Sequence, residues 1–215
     1  MSLLDRGNRR DFLAMNVLNI EPKVIMVDNY FSEAECDFVV KSNPLFGHST
    51  GFNFKTQKSE KTDYRTSSTY YDTSLNFFSM TMKNYNLVKS ILNKKDLTLN
   101  NIEAIQIQKY DTGQQYREHC DYFNYPGYAA IDNDRICTVI VYLNDDFEEG
   151  ETKFPKLNLK IVPKKGSCLY FEYLYDTNTN HKTLHAGLPP VSGEKWIATS
   201  WVRDKPYSKF IRERN

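Results

Sequence analysis

Cys137-Thr138-Val139-Ile140-Val141-Tyr142-Leu143 runs without a charge, a glycine or a proline. A run of this length and β-branched content suits a strand covered on both faces, at the middle of a domain. Asn144-Asp145-Asp146 reads as the turn that ends it, and an acidic loop follows to Gly150. Similar segments lie on either side: Ile102 to Tyr110, Leu157 to Val162, Ser167 to Tyr173 and Lys195 to Val202, with the central one spanning Ile136 to Leu143. Short strands punctuated by turns in this way predict a sandwich or barrel. The first half reads differently. Ser32 and Glu35 have capping-box spacing, with Phe31 and Cys36 placed as a hydrophobic staple, so a helix is expected from Glu33 to about Lys41. Phe78, Met82, Tyr85, Val88 and Leu92 recur at three- and four-residue steps within Leu75 to Lys95, which predicts an amphipathic helix resting on a sheet. Gly47 to Thr62 is polar and without period, and is read as a long surface loop of the kind that forms lids.

No repeat, linker or low-complexity tract divides the 215 residues, so one domain over 1–215 is expected, with 1–100 as helical and loop support and 101–203 as the core. Basic and acidic residues number 28 and 27, a balance that supplies no field for steering towards nucleic acid or acidic lipid. No segment approaches the ~20 apolar residues of a membrane span, and Met1 to Asn8 lacks the apolar centre of a secretory signal. Neither nucleic acid nor membrane is expected as a partner. Cys36, Cys120, Cys137 and Cys168 form no Cys-x-x-Cys pair and read as free thiols, in keeping with a soluble protein of the cytoplasm. Abundant Asn, Lys and Tyr suggest an AT-rich source genome, such as that of a virus. The oligomeric state is not encoded in any pattern found.

Candidate chemistry begins at His119 and Asp121. Two residues apart in an extended backbone, imidazole and carboxylate leave on the same side and can reach one metal ion. A lone His-x-Asp is common by composition, so a third ligand is needed. His48 and His181 sit among loop residues, whereas His185 precedes the turn Gly187 to Gly193 and the final strand. Two histidines and a carboxylate occupy one face of an octahedral iron(II) and leave three positions open. Along the last strand Lys195, Ile197, Thr199 and Trp201 share one face. An inward lysine is costly unless an anion meets it, and the far carboxylate of a dicarboxylic acid would do so. Alternation puts Ile136, Thr138, Ile140 and Tyr142 on one face of the central strand, which makes the Tyr142 hydroxyl a candidate second contact for that carboxylate.

Taken in order, Tyr110-x-x-Gly113-x-x-Tyr116-x-x-His119-x-Asp121, Arg135-x-x-Thr138, Tyr142-Leu-Asn, Glu149-Gly-Glu-Thr152-x-Phe154-Pro155, Pro163-Lys-Lys-Gly166, His185-Ala-Gly and Gly193-Glu-Lys195-Trp196 resemble the prolyl 4-hydroxylases of the 2-oxoglutarate/iron(II) dioxygenase superfamily. The resemblance runs from about Ile102 to Val202 and is looser before it. It implies a mainly β chain with flanking helices (α+β), built on a double-stranded β-helix or jelly-roll, cupin-like core. It implies iron held by His119, Asp121 and His185, and 2-oxoglutarate held by Lys195 with Tyr110, Tyr142 and Thr152. O₂ and ascorbate would be the further co-substrate and the reductant, with succinate and CO₂ released. A peptide or protein substrate, proline-rich in the leading case, would meet Arg65, Ser67, Glu103, Tyr116, Arg135 and Trp201. The same chemistry on another side chain or a free amino acid, or a jelly-roll binding protein without chemistry, are the alternatives. Glu149 departs from the family pattern, which usually has glycine there. Tyr122, Phe123, Tyr125 and Tyr128 are read as rim packing, and Lys205, Lys209, Arg212 and Arg214 as a solvated tail.

Overall fold

Every β-pairing in the computed structural model is antiparallel, and two sheets face each other across the middle of the chain. The structure describes residues 14–53, 58–123, 133–173 and 180–206. Tyr125, Tyr128, Lys209, Arg212 and Arg214 lie outside them. The strands are β1 (Met15–Asn19), β2 (Val24–Val27), β3 (Gly47–His48), β4 (Thr50–Asn53), β5 (Lys58–Lys61), β6 (Ser68–Tyr71), β7 (Gln106–Tyr110) and β8 (Tyr116–His119). They continue as β9 (Arg135–Tyr142), β10 (Glu148–Glu149), β11 (Thr152–Phe154), β12 (Leu159–Ile161), β13 (Cys168–Glu172), β14 (His185–Gly187), β15 (Pro190–Ser192) and β16 (Lys195–Arg203). An eight-stranded sheet has the order β1-β2-β13-β9-β16-β7-β6-β3, and a four-stranded sheet the order β12-β11-β14-β8. This is the double-stranded β-helix architecture, mainly β with few helices.

The apolar run of β9 sits fourth in the large sheet, between β13 and β16. Its residues divide by alternation. Cys137, Val139, Val141 and Leu143 pack outward into a cluster with the helices, while Ile140 and Tyr142 pack inward with Phe154, Phe171 and Leu169 between the sheets. Two faces with two cores explain why no polar alternation is visible in the sequence. β16 is divided in the same way: Trp196, Ala198 and Val202 face the helices, Ile197 faces the inner core, and all nine residues are buried.

Helix α1 (Glu33–Ser42) begins at the expected box: the Glu35 amide donates to the Ser32 hydroxyl at 3.3 Å and the Ser32 amide to the Glu35 carboxylate at 2.8 Å. Its entry is fixed by Gly166, at φ +77°, where a Cβ would meet the Phe31 carbonyl oxygen at 2.3 Å. Helix α2 (Phe78–Leu92) forms within the expected span, and Tyr85, Val88 and Leu92 of the expected stripe pack against the core. Phe78 is exposed, and the buried side chains are Met80, Asn84, Leu87 and Val88. The polar Asn84 is fully covered because it donates to the Ser200 hydroxyl at 2.9 Å and accepts from the Tyr30 hydroxyl at 3.2 Å. A hydrophobicity pattern skips such a residue, and the buried face extends past the expected stripe to Met80, Asn84 and Leu87.

Two further readings of the first half are corrected. β1, β2, β3 and β6 are strands of the large sheet, so this half supplies sheet as well as helix: β2 pairs β13 and β6 pairs β7. The polar stretch from Gly47 is no irregular loop, since it contains β3 and the hairpin β4–β5, with Thr50 opposite Lys61. β3, β4 and β5 have too few apolar residues for the period-two signal to register, and β2, wholly apolar, is only four residues long.

Candidate active site

The cleft between the sheets draws residues from both. β8 and the residues after it supply Tyr116, His119 and Asp121, β11 supplies Thr152, and β14 supplies His185 and Gly187. From the large sheet come Gln108 and Tyr110 of β7, Ile140 of β9, and Lys195, Ile197, Thr199 and Trp201 of β16. The last four are the one-face set that alternation predicts. β14 pairs β8 with His185 directly opposite His119, so strand register brings together residues far apart in sequence.

One ligand atom each from His119, Asp121 and His185 lies within 4.8 Å of the others. The His119 Nε2 is 3.4 Å from Asp121 Oδ1, and the His185 Nε2 is 3.6 Å from Asp121 Oδ2. Each imidazole is oriented from behind. Nδ1 of His119 lies 2.7 Å from the Arg117 carbonyl, and that of His185 lies 3.0 Å from the Thr183 carbonyl. A carbonyl only accepts, so both Nδ1 atoms carry the proton and both Nε2 lone pairs face the cleft. Burial, with His119 beside it, lowers the pKa of His185 to about 4, which keeps it a neutral ligand. Burial opposes charge on Asp121, yet the imidazoles of His185 and His119 and the guanidinium of Arg135 hold its carboxyl well below the usual range. Two neutral nitrogens and one anionic oxygen on one side of a cleft fit a ferrous ion with open positions. Tyr116 stacks flat on His119, centroids 3.4 Å apart at 12°, and carries Tyr64 and the Arg65 guanidinium beyond it.

Lys195 is 1% exposed. Its ammonium has no ion pair among the described residues. It sits 5.1 Å from the centre of the Tyr110 ring, and burial, relieved only in part by Glu151, lowers its pKa to about 7. Glu151 itself pairs with Lys160 at 2.7 Å. The Thr152 hydroxyl lies in the same cleft and accepts from the Tyr142 hydroxyl at 2.8 Å, so the fully buried Tyr142 stands behind Thr152 and does not line the cleft. Gly150, at φ +70°, lies where a Cβ would come 3.4 Å from Lys195 Cδ. The unusual Glu149 keeps the glycine-like backbone, at φ +61°.

Of the peptide-contacting set, Tyr116 and Trp201 line the cleft. Among the described residues the buried Trp201 Nε1–H has no hydrogen-bond partner. Arg65, Ser67, Glu103 and Arg135 stand behind the wall. Arg65 donates to the Thr50 carbonyl and to Gln106, and Ser67 pairs with Ser49. Arg135 grips Glu103 through two nitrogens at 2.8 and 2.9 Å, with its guanidinium over the Trp201 ring at 3.6 Å. Gln108 and Thr199, hydrogen-bonded to each other and lining the cleft, are additions. Alternation along β7 and β16 carried that signal. Tyr173, which reaches Asp121 from the end of β13, had none.

Three side chains that could hold a metal ion, beside a buried lysine and inside a jelly roll, fit the 2-oxoglutarate- and Fe(II)-dependent dioxygenases, and the profile of the 2OG-Fe(II) oxygenase superfamily matches residues 105–203. Probable prolyl 4-hydroxylase 8 of Arabidopsis thaliana is 30% identical over 219 residues, covering 90% of this chain and 73% of the relative. A putative prolyl 4-hydroxylase of Acanthamoeba polyphaga mimivirus is 38% identical over 130 residues, 57% of this chain and 53% of the relative. In three dimensions the chain resembles the viral collagen prolyl hydroxylase of Paramecium bursaria Chlorella virus 1, solved as its 2OG complex, with a TM-score of 0.65, 30% identity, and coverage of 84% of this chain and 95% of that one. The chain belongs to the prolyl 4-hydroxylase family of these oxygenases, and its cofactor and co-substrate are Fe(II) and 2-oxoglutarate. Among the described residues no helix is long and apolar enough to cross a membrane.

Proposed function

We propose that this oxygenase hydroxylates proline within a peptide or protein, with His119, Asp121 and His185 as iron ligands and Lys195 as the anchor of 2-oxoglutarate. The observation that carries the residue assignment is the buried, internally unpaired Lys195 in the same cleft as the triad. With iron(II) and 2-oxoglutarate bound, O₂ oxidises a substrate C–H bond and succinate and CO₂ leave. The protein's own residues do the rest. Lys195 and the Thr152 hydroxyl receive the distal carboxylate, Tyr142 fixes Thr152 from behind, and Tyr110 forms the adjoining wall. Ile140, Ile197 and Tyr116 exclude water beside them. The unsatisfied Trp201 Nε1–H offers a donor for a peptide carbonyl, and Arg135 and Glu103 act through Trp201 by holding its indole. Peptidyl proline as substrate is supported by the names of the relatives, the collagen prolyl hydroxylase above all. Ascorbate serves as reductant, and the four free cysteines suit a reducing, cytoplasmic setting.

The test is succinate formation with Fe(II) and ascorbate, with and without a proline-rich peptide. Peptide-stimulated turnover and a peptide mass gain of one oxygen atom are expected. Turnover indifferent to every proline peptide would move the substrate to another side chain or a free amino acid. His119→Ala should retain the folded far-ultraviolet spectrum and lose turnover; full activity in that variant would remove the metal assignment.

A further inference from the structure

Asp121 is held at both ends by side chains from the large sheet. Its main-chain carbonyl accepts from Arg135 Nη1 at 3.0 Å. Its Oδ2 accepts from the Thr138 hydroxyl at 2.7 Å and from the Tyr173 hydroxyl at 3.1 Å, and the two hydroxyls touch each other. Strand pairing sets this up. Thr138 lies on the inner face of β9, opposite Phe171 of β13, and Tyr173 follows two residues later, with its amide on the Ile136 carbonyl at 3.0 Å. Both hydroxyls are buried, and neither serves the co-substrate pocket, since neither residue lines the cleft.

A carboxylate offers about two acceptor sites on each oxygen. Both oxygens face a histidine, Oδ1 at 3.4 Å from His119 Nε2 and Oδ2 at 3.6 Å from His185 Nε2, but the two hydroxyl donors converge on Oδ2 alone and occupy its acceptor sites. We propose that Thr138 and Tyr173 are positioning residues that restrict Asp121 to one-oxygen ligation and so preserve the coordination position that O₂ needs. The arithmetic is strict. Three protein ligands on an octahedral ion leave three positions, of which a chelating 2-oxo acid takes two. A carboxylate that swung its second oxygen onto the ion would take the last. The hydroxyl pair therefore governs access of O₂, and Lys195 governs the hold on 2-oxoglutarate.

This inference rests on the metal assignment above, and its test separates the two. Wild type, Tyr173→Phe, Thr138→Val, the double variant and Thr138→Ser are loaded anaerobically with Fe(II) and 2-oxoglutarate. Nitric oxide, a stand-in for O₂, is then titrated in and the iron–nitrosyl signal read by electron paramagnetic resonance. The double variant should need about ten- to hundredfold more nitric oxide, an effect of the size that removing groups behind a metal ligand has on metal affinity or activity. KM for O₂ should rise in parallel while KM for 2-oxoglutarate holds, and Thr138→Ser, which keeps the hydroxyl, should behave as wild type. Far-ultraviolet dichroism checks that each variant is folded. Folded, iron-loaded variants with the nitric oxide titration of the wild type overturn the proposal. A wild type that binds no Fe(II) instead removes the metal reading beneath it.

Discussion

Arg135 at the start of β9 and Lys195 at the start of β16 each carry a cation out of water, the Arg135 side chain 12% exposed and Lys195 1%. Around Arg135 the fold supplies everything the charge needs. Glu103 takes two of its nitrogens and also takes Arg203 at 2.6 Å, the Asp121 carbonyl takes a third, and the Trp201 and Phe123 rings cover its faces. Burial opposes ionisation at both Arg135 and Glu103, but the pair overrides it: the Glu103 pKa is lowered and that of Arg135 raised. Around Lys195 the fold supplies walls and almost no counter-charge, and the pKa falls to about 7. A cation whose anion is internal maintains the structure, and one without is poised for a ligand.

The comparison is most severely tested at Glu103. Glu103→Gln leaves two guanidinium groups short of their anion, a loss of about 3–5 kcal/mol that lowers the melting temperature by ~10 °C in a chain of this size. KM for 2-oxoglutarate should hold; a large rise would show that the two regions are not separate. Lys195→Met should do the reverse. The thioether fills similar volume without charge, so the protein alone melts no lower than wild type. KM for 2-oxoglutarate rises about a hundredfold, within the 2–5 kcal/mol typical of truncating one member of a buried charge pair. An unchanged KM would mean that another residue holds the carboxylate.

The smallest effect is in pH. Below about pH 7 Lys195 is charged and ready for an anion, and above it the free protein must take up a proton to bind one. The dissociation constant for 2-oxoglutarate should therefore climb above pH 7, by at most about tenfold per unit. Lys195→Arg, whose guanidinium stays charged, should bind without that slope. For folding without co-substrate the sign follows from the same group. Its folded pKa lies below the ~10.4 of an unfolded lysine, so the unfolded chain holds more protons between those values and stability from this residue rises with pH across that window. Below pH 7 the penalty is complete. Saturating 2-oxoglutarate should flatten the dependence, and calorimetry at several pH values reads it directly.

How much of this was legible beforehand depended on what each residue's role leaves in the sequence. β9 and β16 were legible because a strand buried on both faces is a long apolar run, and Lys195 because it opens such a run on the same face as Ile197, Thr199 and Trp201. His119 and Asp121 were legible as a pair two apart, and His185 only as the histidine before the last strand. Its exact place opposite His119 is a matter of register between β8 and β14, two strands too short to announce themselves. β4 and β5 were hidden because a polar hairpin has no apolar alternation to show, and part of the buried face of α2 because Asn84 is satisfied by Tyr30 and Ser200, far along the chain. Tyr173 and Glu103 belong to the same class. Their meaning lies in a contact, and a contact has no local period.

The Glu103–Arg135–Arg203 cluster also constrains how this protein can evolve. Loss of Glu103 alone strands two guanidinium groups beside the candidate metal ligand Asp121 and the cleft-lining Trp201, whereas loss of either arginine leaves Glu103 with the other, so a change at Glu103 is expected to arrive with compensating changes at Arg135 and Arg203. Lys195 stands under no such internal contract. Its replacement is expected to cost the fold little, so the proposed grip on the co-substrate can be relocated or retuned while the jelly roll around it stays as it is.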